Sequence, residues 1–329
     1  MTRILSYNIL AGGKRRVDQL TKIISSAHPD IVGLVEANSL QAVEDLADRL
    51  GMQYRISGSP TQAQDWQTAL LSHLPIVETH SHFHADILTK PVLEVCLEEE
   101  EGHKLTVFVT HLAAAFYRGR GGDSIRRREV QEILRIMAPK QGTPHLLMGD
   151  FNAIAPGDRL QASVLVRYLA VMDVRYRQNL HADLGHPNLD FVVPGPLRFL
   201  KPLLRRIPRS EVLSALFDGA GSLYAPHGSI SMLRKAGYID CFRYTNPDDP
   251  GFTCPAAAPA GRIDYIFASP ELAGRLSRCC VVTEGNGLRG DEASDHLPVV
   301  AQFGKSTERV EGPARGVAAH RPFDLFDNG

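Results

Sequence analysis

Cysteine is scarce in this chain and carries no pattern. Cys96, Cys241, Cys254, Cys279 and Cys280 are odd in number and lack metal-ligand spacing, which excludes a disulfide scaffold and a cysteine-ligated structural metal. Cys279 and Cys280 adjoin in a strand-like run and read as apolar filler. Charge of one sign is equally wanting: 36 Lys+Arg against 37 Asp+Glu leave a formal net charge of -1, so no whole-molecule field draws the chain to a polyanion. Aromatic residues make up 7%, with Trp66 the single tryptophan, too few among basic residues for the stacking groove of a single-strand nucleic-acid binder. No apolar run reaches membrane-spanning length, and "MTRILSYNIL" enters a strand pattern without the parts of a signal peptide. The expectation is a soluble chain of the cytoplasm.

What is present is a regular alternation. "RILSYNIL" (3–10) and "DIVGLVEA" (30–37) read as strands, "VDQLTKIISSA" (17–27) and "LQAVEDLADRLG" (40–51) as helices. Strand signals then cluster in "TALLSHLPIVET" (68–79) and in "PVLEVCLEEEEGHKLTVFVTHLA" (91–113), the latter a hairpin turning near Gly102. A helix from about Ser124 to Met137 precedes the strand of "TPHLLMGDFNA" (143–153), and "GRIDYIFAS", "RCCVVTE" and "HLPVVAQF" supply later strands. With 329 residues and 43% hydrophobic content, one main domain over 1–303 is expected: an α/β sandwich with two mixed β-sheets and a mainly helical insertion. The insertion spans about 155–238. Residues 304–329 lose periodicity and read as a flexible tail.

Polar residues gather where strands end or begin: Asn8, Glu36, His111, Asp150 with Asn152, Asp264, and Asp295 with His296. Strand termini in layered α/β folds converge on one crevice, and this mixture of carboxylates, amides and imidazoles suits a hard divalent cation and a phosphate ester. Strand alternation would set Asp150 and Asn152 on one face and Phe151 on the other. Singly, each has a plain alternative: Asn8 a turn residue, Asp150 and Asn152 a helix cap. Asp264 between Ile263 and Tyr265 needs a partner in any case, because an unpaired buried carboxylate is costly.

In "SYNIL", "GLVEA", "VTHL", "GDFNA", "RIDYIF" and "SDHLPV", taken in order, the chain resembles the exonuclease-endonuclease-phosphatase superfamily, whose fold is shared by pancreatic-type deoxyribonuclease, abasic-site endonucleases, sphingomyelinases and inositol polyphosphate 5-phosphatases. The resemblance implies a four-layered α/β/β/α sandwich and a Mg²⁺-dependent phosphoesterase, with Mn²⁺ a substitute. It implies Glu36 as the principal metal ligand, with Asn8 and Asp295 helping to hold the ion or its waters. Asp264 would orient His296; Asp150 or His296 would take the proton from the attacking water, an alternative the residues leave open. Asn152 and His111 would donate to phosphate oxygens, His111 also assisting the leaving group, in an in-line hydrolysis without covalent intermediate.

Substrate signals are weaker. "LLSHLPI" has His73 where the family often has arginine, and we take His73 as a substrate contact together with Arg118, Arg120 and Arg126 of "RGRGGDSIRRRE". The plain reading of those arginines is a solvated helix face. His80, His82 and His84 share a strand face that could hold a transition metal but is better explained as solvated. The run 194–209, "PGPLRFLKPLLRRIPR", mixes five Lys/Arg with six large apolar residues and no acid; it could touch an anionic membrane or cap a lipid-like substrate, or fold as a lid. A small or lipid-linked phosphoester is therefore favoured over nucleic acid. A nuclease is the alternative, and a non-catalytic scaffold of the same fold the third reading.

Overall fold

The computed structural model describes residues 1–58, 67–114, 120–177, 210–225 and 227–305. The chain opens β1 (Thr2–Asn8), α1 (Val17–Ser26), β2 (Ile31–Val35), α2 (Leu40–Leu50), β3 (Gln53–Ile56) and β4 (Thr68–Ser72). It continues with β5 (Ile76–His82), β6 (Val92–Glu98), β7 (Lys104–His111), α3 (Arg120–Met137) and β8 (His145–Asp150). Among the described residues α4 (Ala162–Arg177), α5 (Glu211–Tyr224) and α6 (Gly228–Lys235) follow. The last third holds β9 (Ile239–Asp240), α7 (Cys241–Thr245), β10 (Asp264–Ala268), α8 (Pro270–Ala273), β11 (Leu276–Val281), the small hairpin β12 (Glu284–Gly285) with β13 (Leu288–Arg289), and β14 (Val299–Phe303).

Two six-stranded sheets result, ordered β11-β14-β1-β2-β4-β3 and β5-β6-β7-β8-β10-β9. Both are mixed: β1 runs parallel to β2, and β7 parallel to β8. Each parallel pair needs a crossover, which α1 and α3 supply. Alternation along the strands sorts apolar side chains into three layers of core. Ile4, Val35, Leu70, Val95, Val107, Met148 and Ile266 meet between the sheets. Leu5, Tyr7 and Leu34 face Leu20, Ile23, Val43 and Leu46 of α1 and α2, while Phe108, Leu147 and Phe267 face Val130, Ile133, Ile230 and Leu233 of α3 and α6. The order of layers is α/β/β/α, as the sequence led us to expect. Gly33 matters here, because a Cβ on it would lie 2.2 Å from Met148 Cε of the facing sheet.

Two elements differ from the sequence reading. "TALLSHLPIVET" splits into β4 and β5, which belong to different sheets; the break falls at His73–Pro75, where proline withholds a ladder donor. The helix expected from Ser124 begins at Arg120, so Gly121 and Gly122 are helical despite their propensity, overruled by tertiary context.

Register then places the polar residues. Asp150 pairs with His111 across the parallel ladder and with Asp264 across the antiparallel one. Even-numbered residues of β8 and β10 point between the sheets, so the three side chains open on the seam. Gly149 sits at φ +142°, and a Cβ there would lie 1.8 Å from the carbonyl oxygen of Thr110. We expect Gly149→Ala to lower the urea-unfolding free energy by about 3 kcal/mol. Gly51→Ala, at the left-handed cap of α2 with open space around it, should cost about 1 kcal/mol.

Candidate active site

Asp150 is the focus of the seam. Its Oδ2 accepts from Asn8 Nδ2 (3.2 Å) and lies 3.5 Å from His111 Nε2 and 3.9 Å from His296 Nε2. Its Oδ1 accepts the Asn152 N–H at 2.9 Å. His296 Nδ1 donates to Asp264 Oδ2 at 2.9 Å, which fixes the ring and turns Nε2 toward Asp150. All of these groups except the rim of Glu36 and Asp295 are buried. Asn152 differs from the strand reading: β8 ends at Asp150, and Asn152 is left-handed at φ +47°. The Asp150 carboxylate and the Leu112 carbonyl, which accepts from Asn152 Nδ2 at 3.0 Å, hold it there; Phe151 faces the α3 side.

Crowding like and unlike charges in one buried place separates their proton affinities. Burial and the neighbouring Asp264 push Asp150 up to about 7, against the pull of His296, the Asn152 N–H and Lys90. Burial drags His296 down, but Asp264 outweighs it and holds the imidazole well above its ordinary value. His111 goes the other way, well below, through burial and the cations Lys90 and His296. The two imidazoles beside Asp150 are therefore driven in opposite directions, His296 toward its cationic form and His111 toward its neutral one.

Glu36 follows β2 in a left-handed conformation (φ +59°). Its Oε1 accepts from Asn8 Nδ2 (3.3 Å) and its Oε2 from the Ala11 N–H (2.7 Å). Asn8 Oδ1 accepts the Leu10 N–H at 3.0 Å. One amide nitrogen thus stands between the carboxylates of Glu36 and Asp150. Asn8 links the two carboxylates through its amide nitrogen while its oxygen takes a backbone N–H. Glu36 and Asp150, bridged by this amide, are oxygen donors that fit a hard cation such as Mg²⁺, and Asp295 follows Ser294, whose hydroxyl donates to the Asn8 carbonyl at 2.7 Å. Asp150, Asp264 and His296 also bring one atom each within 4.8 Å of the others, but the Asp264–His296 contact is already a hydrogen bond between opposite charges.

The sequence model of the Endonuclease/Exonuclease/phosphatase family matches residues 5–296. The chain belongs to this family. Family members hydrolyse phosphoesters, and solved structures agree in fold. An AP endonuclease from Archaeoglobus fulgidus aligns with a TM-score of 0.60 at 14% identity, covering 92% of this chain and 99% of that one. A 3′ phosphatase from Neisseria bound to a product DNA hairpin gives 0.58 at 17% identity, with 92% and 99% covered. A mannosyl-6-phosphatase from Bacteroides thetaiotaomicron gives 0.56 at 16%, again with 92% and 99% covered. No curated protein matches the chain in sequence.

In this family member the structure brings together Asn8, Glu36, His111, Asp150, Asn152, Asp264, Asp295 and His296. Two of the expected substrate contacts, His73 and Arg126, are not presented to this site. His73 is exposed, and its N–H bonds to Asp30 O; Ser72 pairs with Ile31 at the start of β2 and Thr68 with Val35 at its end, so His73 lies at the opposite end of the sheet from Glu36. Arg126 is fully buried, with Nη1 donating to Ala113 O at 3.0 Å. Helical spacing turns it inward with Glu129, Val130 and Ile133, while Arg127 and Arg128 face solvent. Arg118, the run 194–209 and most of the tail lie outside the described residues. Arg120 starts α3. His80, His82 and His84 do not converge: each has its own carboxylate, Glu78, Glu94 and Glu132, at 2.8, 2.7 and 2.7 Å.

Sequence reasoning missed Lys90. It is buried, donates to Leu112 O at 3.2 Å beside the Asn152 amide, and is pushed down to about 8 by burial, which Asp150, Glu36 and Glu129 only partly oppose. Its context, "TKPVLEV", looks like an ordinary solvated strand start. Glu129 was missed too: its Oε1 takes the Thr89 N–H and Oε2 the Ala113 N–H, fixing both residues that flank Lys90 and Leu112. Arg16 was a third. Its guanidinium donates to the carbonyls of Ile9 (3.0 Å), Leu10 and Ala293, tying the loop after β1 to the loop carrying Asp295. Asp264→Asn should cut kcat/KM about 10²- to 10⁴-fold by releasing the His296 ring, measured on any turned-over ester. His73→Ala should leave it within about twofold.

Proposed function

We propose that this chain is a Mg²⁺-dependent phosphoesterase, Mn²⁺ serving as substitute, that hydrolyses a small or lipid-linked phosphoester by in-line attack of water. The observation that carries the reading is the convergence of Asn8, His111 and His296 on Asp150 Oδ2 within 3.9 Å. Glu36 and Asp295 would hold the ion. When bound, it would supply positive charge to the phosphoryl oxygens.

The remaining work falls to the chain's own side chains. Asp150 is the acceptor for the water proton, since Asp264 favours the cationic form of His296 and so disfavours that ring as the base. Neutral His111 and Asn152 donate hydrogen bonds to non-bridging oxygens. The Lys90 ammonium adds a fixed positive charge beside Asn152, where the phosphoryl group gains charge in the transition state. Arg118 and Arg120 remain proposed contacts of the substrate's distal part, without His73 and Arg126. The near-neutral net charge supports a small or lipid-linked ester over nucleic acid. The five unpaired cysteines support a reducing, cytoplasmic setting.

The test is turnover of bis-p-nitrophenyl phosphate, sugar phosphates, phosphoinositides, sphingomyelin, plasmid and abasic duplex, with Mg²⁺, with EDTA and with Asp150→Asn. Hydrolysis of small or lipid esters, abolished by both controls, is expected; plasmid nicking abolished by both would make the enzyme a nuclease instead. Lys90→Met should lower kcat/KM about 100-fold. The pH dependence follows in sign: the ammonium is present well below about 8, so activity should fall as pH rises through that value. Lys90→Arg should move this alkaline limb upward, as read from a pH–rate profile.

A further inference from the structure

The turn between β1 and α1 is left-handed for four residues in succession. Leu10, Ala11, Gly12 and Gly13 have φ of +51°, +48°, +80° and +66°. The first two lack the freedom of glycine, so the turn persists only where its surroundings hold it. Those surroundings are Glu36 and Arg16. The Gly12 N–H donates to the Glu36 carbonyl at 2.9 Å and the Ala11 N–H to Glu36 Oε2 at 2.7 Å, so the turn grips this residue by main chain and carboxylate together. Glu36 is itself left-handed, and the grip decides where its carboxylate points.

Arg16 holds the turn from the other side. It stands at the N-terminal cap of α1, its N–H on the Gly13 carbonyl at 2.8 Å and its own carbonyl taking the Leu20 N–H at 2.8 Å. From that anchored position Nη2 donates to the carbonyls of Ile9 (3.0 Å) and Leu10, and Nη1 to that of Ala293. Ala293 lies two residues before Asp295, whose carbonyl takes the Ala256 N–H at 2.7 Å. One guanidinium therefore joins the turn that orients Glu36 to the loop that carries Asp295. Its rigid spread of donors fixes two loops at once, which a compact ammonium on a flexible stem does not.

We propose that Arg16 is a positioning residue that sets the affinity of Glu36 and Asp295 for their divalent cation. This rests on the phosphoesterase reading, in which those two carboxylates hold the ion. Burial lowers the proton affinity of Arg16, with Asp295, Tyr7 and Glu36 opposing it, which agrees with a place near both acids. Charge alone would act against binding there, since a guanidinium repels an incoming cation. The two effects are separable by sign: losing the fork loosens both loops and weakens binding, whereas losing the charge strengthens it. Groups that orient metal ligands without touching the metal are commonly worth about 10- to 100-fold in affinity, and water screens the repulsion at this half-exposed rim, so the fork outweighs the charge.

The experiment titrates the full chain with Mn²⁺ in the absence of substrate, reading the EPR signal of the free ion, for the parent, Glu36→Gln, Arg16→Lys and Arg16→Met. Glu36→Gln should abolish the binding, which fixes the ion at this site. Arg16→Lys keeps the charge and loses the fork, and should weaken binding at least about tenfold. Arg16→Met should do the same, although it removes a repelling charge. The Mn²⁺ concentration giving half-maximal ester hydrolysis should rise in the same proportion, with a smaller fall in the rate at saturating Mn²⁺. Near-UV circular dichroism checks that each variant is folded, and where Arg16→Met is not, Arg16→Lys decides. Parent-like affinity in folded Arg16→Lys, or tighter binding by folded Arg16→Met, overturns the proposal and leaves the phosphoesterase reading in place. A parent that binds no Mn²⁺, or undiminished binding by Glu36→Gln, overturns that reading and the proposal with it.

Discussion

The register of three strands is the constraint on which the site depends. β8 lies between β7 and β10, and its last residue, Asp150, is opposite His111 on one side and Asp264 on the other. A slip of one residue in either ladder would turn a side chain from the seam into the apolar layer under α3. Gly149 is the point where this register is most exacting, because its neighbour Thr110 leaves no room for a side chain. The sandwich brings β1 and β2 of the facing sheet to the same end, and Asn8 then spans from Glu36 to Asp150. One amide thus joins the sheets at the reacting centre.

A second network ties the region between β8 and β10 to this centre. Arg262, two residues before Asp264, is fully buried and donates to both oxygens of Asp240 and to Asp158, each at 2.7 Å. Arg243 and Arg234 complete the pairing of those acids at 3.0 Å, and the Arg262 guanidinium stacks 4.4 Å from the Tyr265 ring centroid. A buried cation so fully paired is stabilising only while every partner stays in place. Helices α4 to α6 are therefore held by residues contiguous with the strand that supplies Asp264.

The layers and most of the candidate site were legible in the sequence, because both follow from period. Alternation gave the strands, 3.6-residue spacing gave α1 and α2, and polar residues at strand ends stood out against apolar runs. What sequence could not show is burial created by distant segments. Lys90 reads as a surface residue until Leu112, Asp150 and Glu36, far apart in sequence, are folded around it. Arg126 reads as a solvent-facing arginine because its neighbours Arg127 and Arg128 are; only the phase of α3 separates them. His73 failed for a different reason: proximity in a motif was taken for proximity in space, whereas β4 runs antiparallel to β2 and carries it away. Asn152 was placed on the right side by the wrong geometry, a left-handed turn rather than the pleat.

The charge arrangement shows why the missed lysine matters. Asp150 is flanked by two imidazoles that are chemically identical and sit 3.5 and 3.9 Å from the same oxygen. Nothing in their distance to Asp150 distinguishes them. Their surroundings do: burial, with Lys90 and His296 adding to it, pushes His111 down, while Asp264 behind His296 outweighs burial and holds that ring up. The proposed hydrolysis, in which Asp150 accepts a proton from water and a histidine donates to a phosphoryl group, calls for that asymmetry, since two cationic rings would quench the basicity of Asp150 and two neutral ones would leave the buried carboxylate poorly compensated. Asp264 acts on one half through β10 register, and Lys90, held by the Glu129-braced loop before β6, adds to the burial that acts on the other.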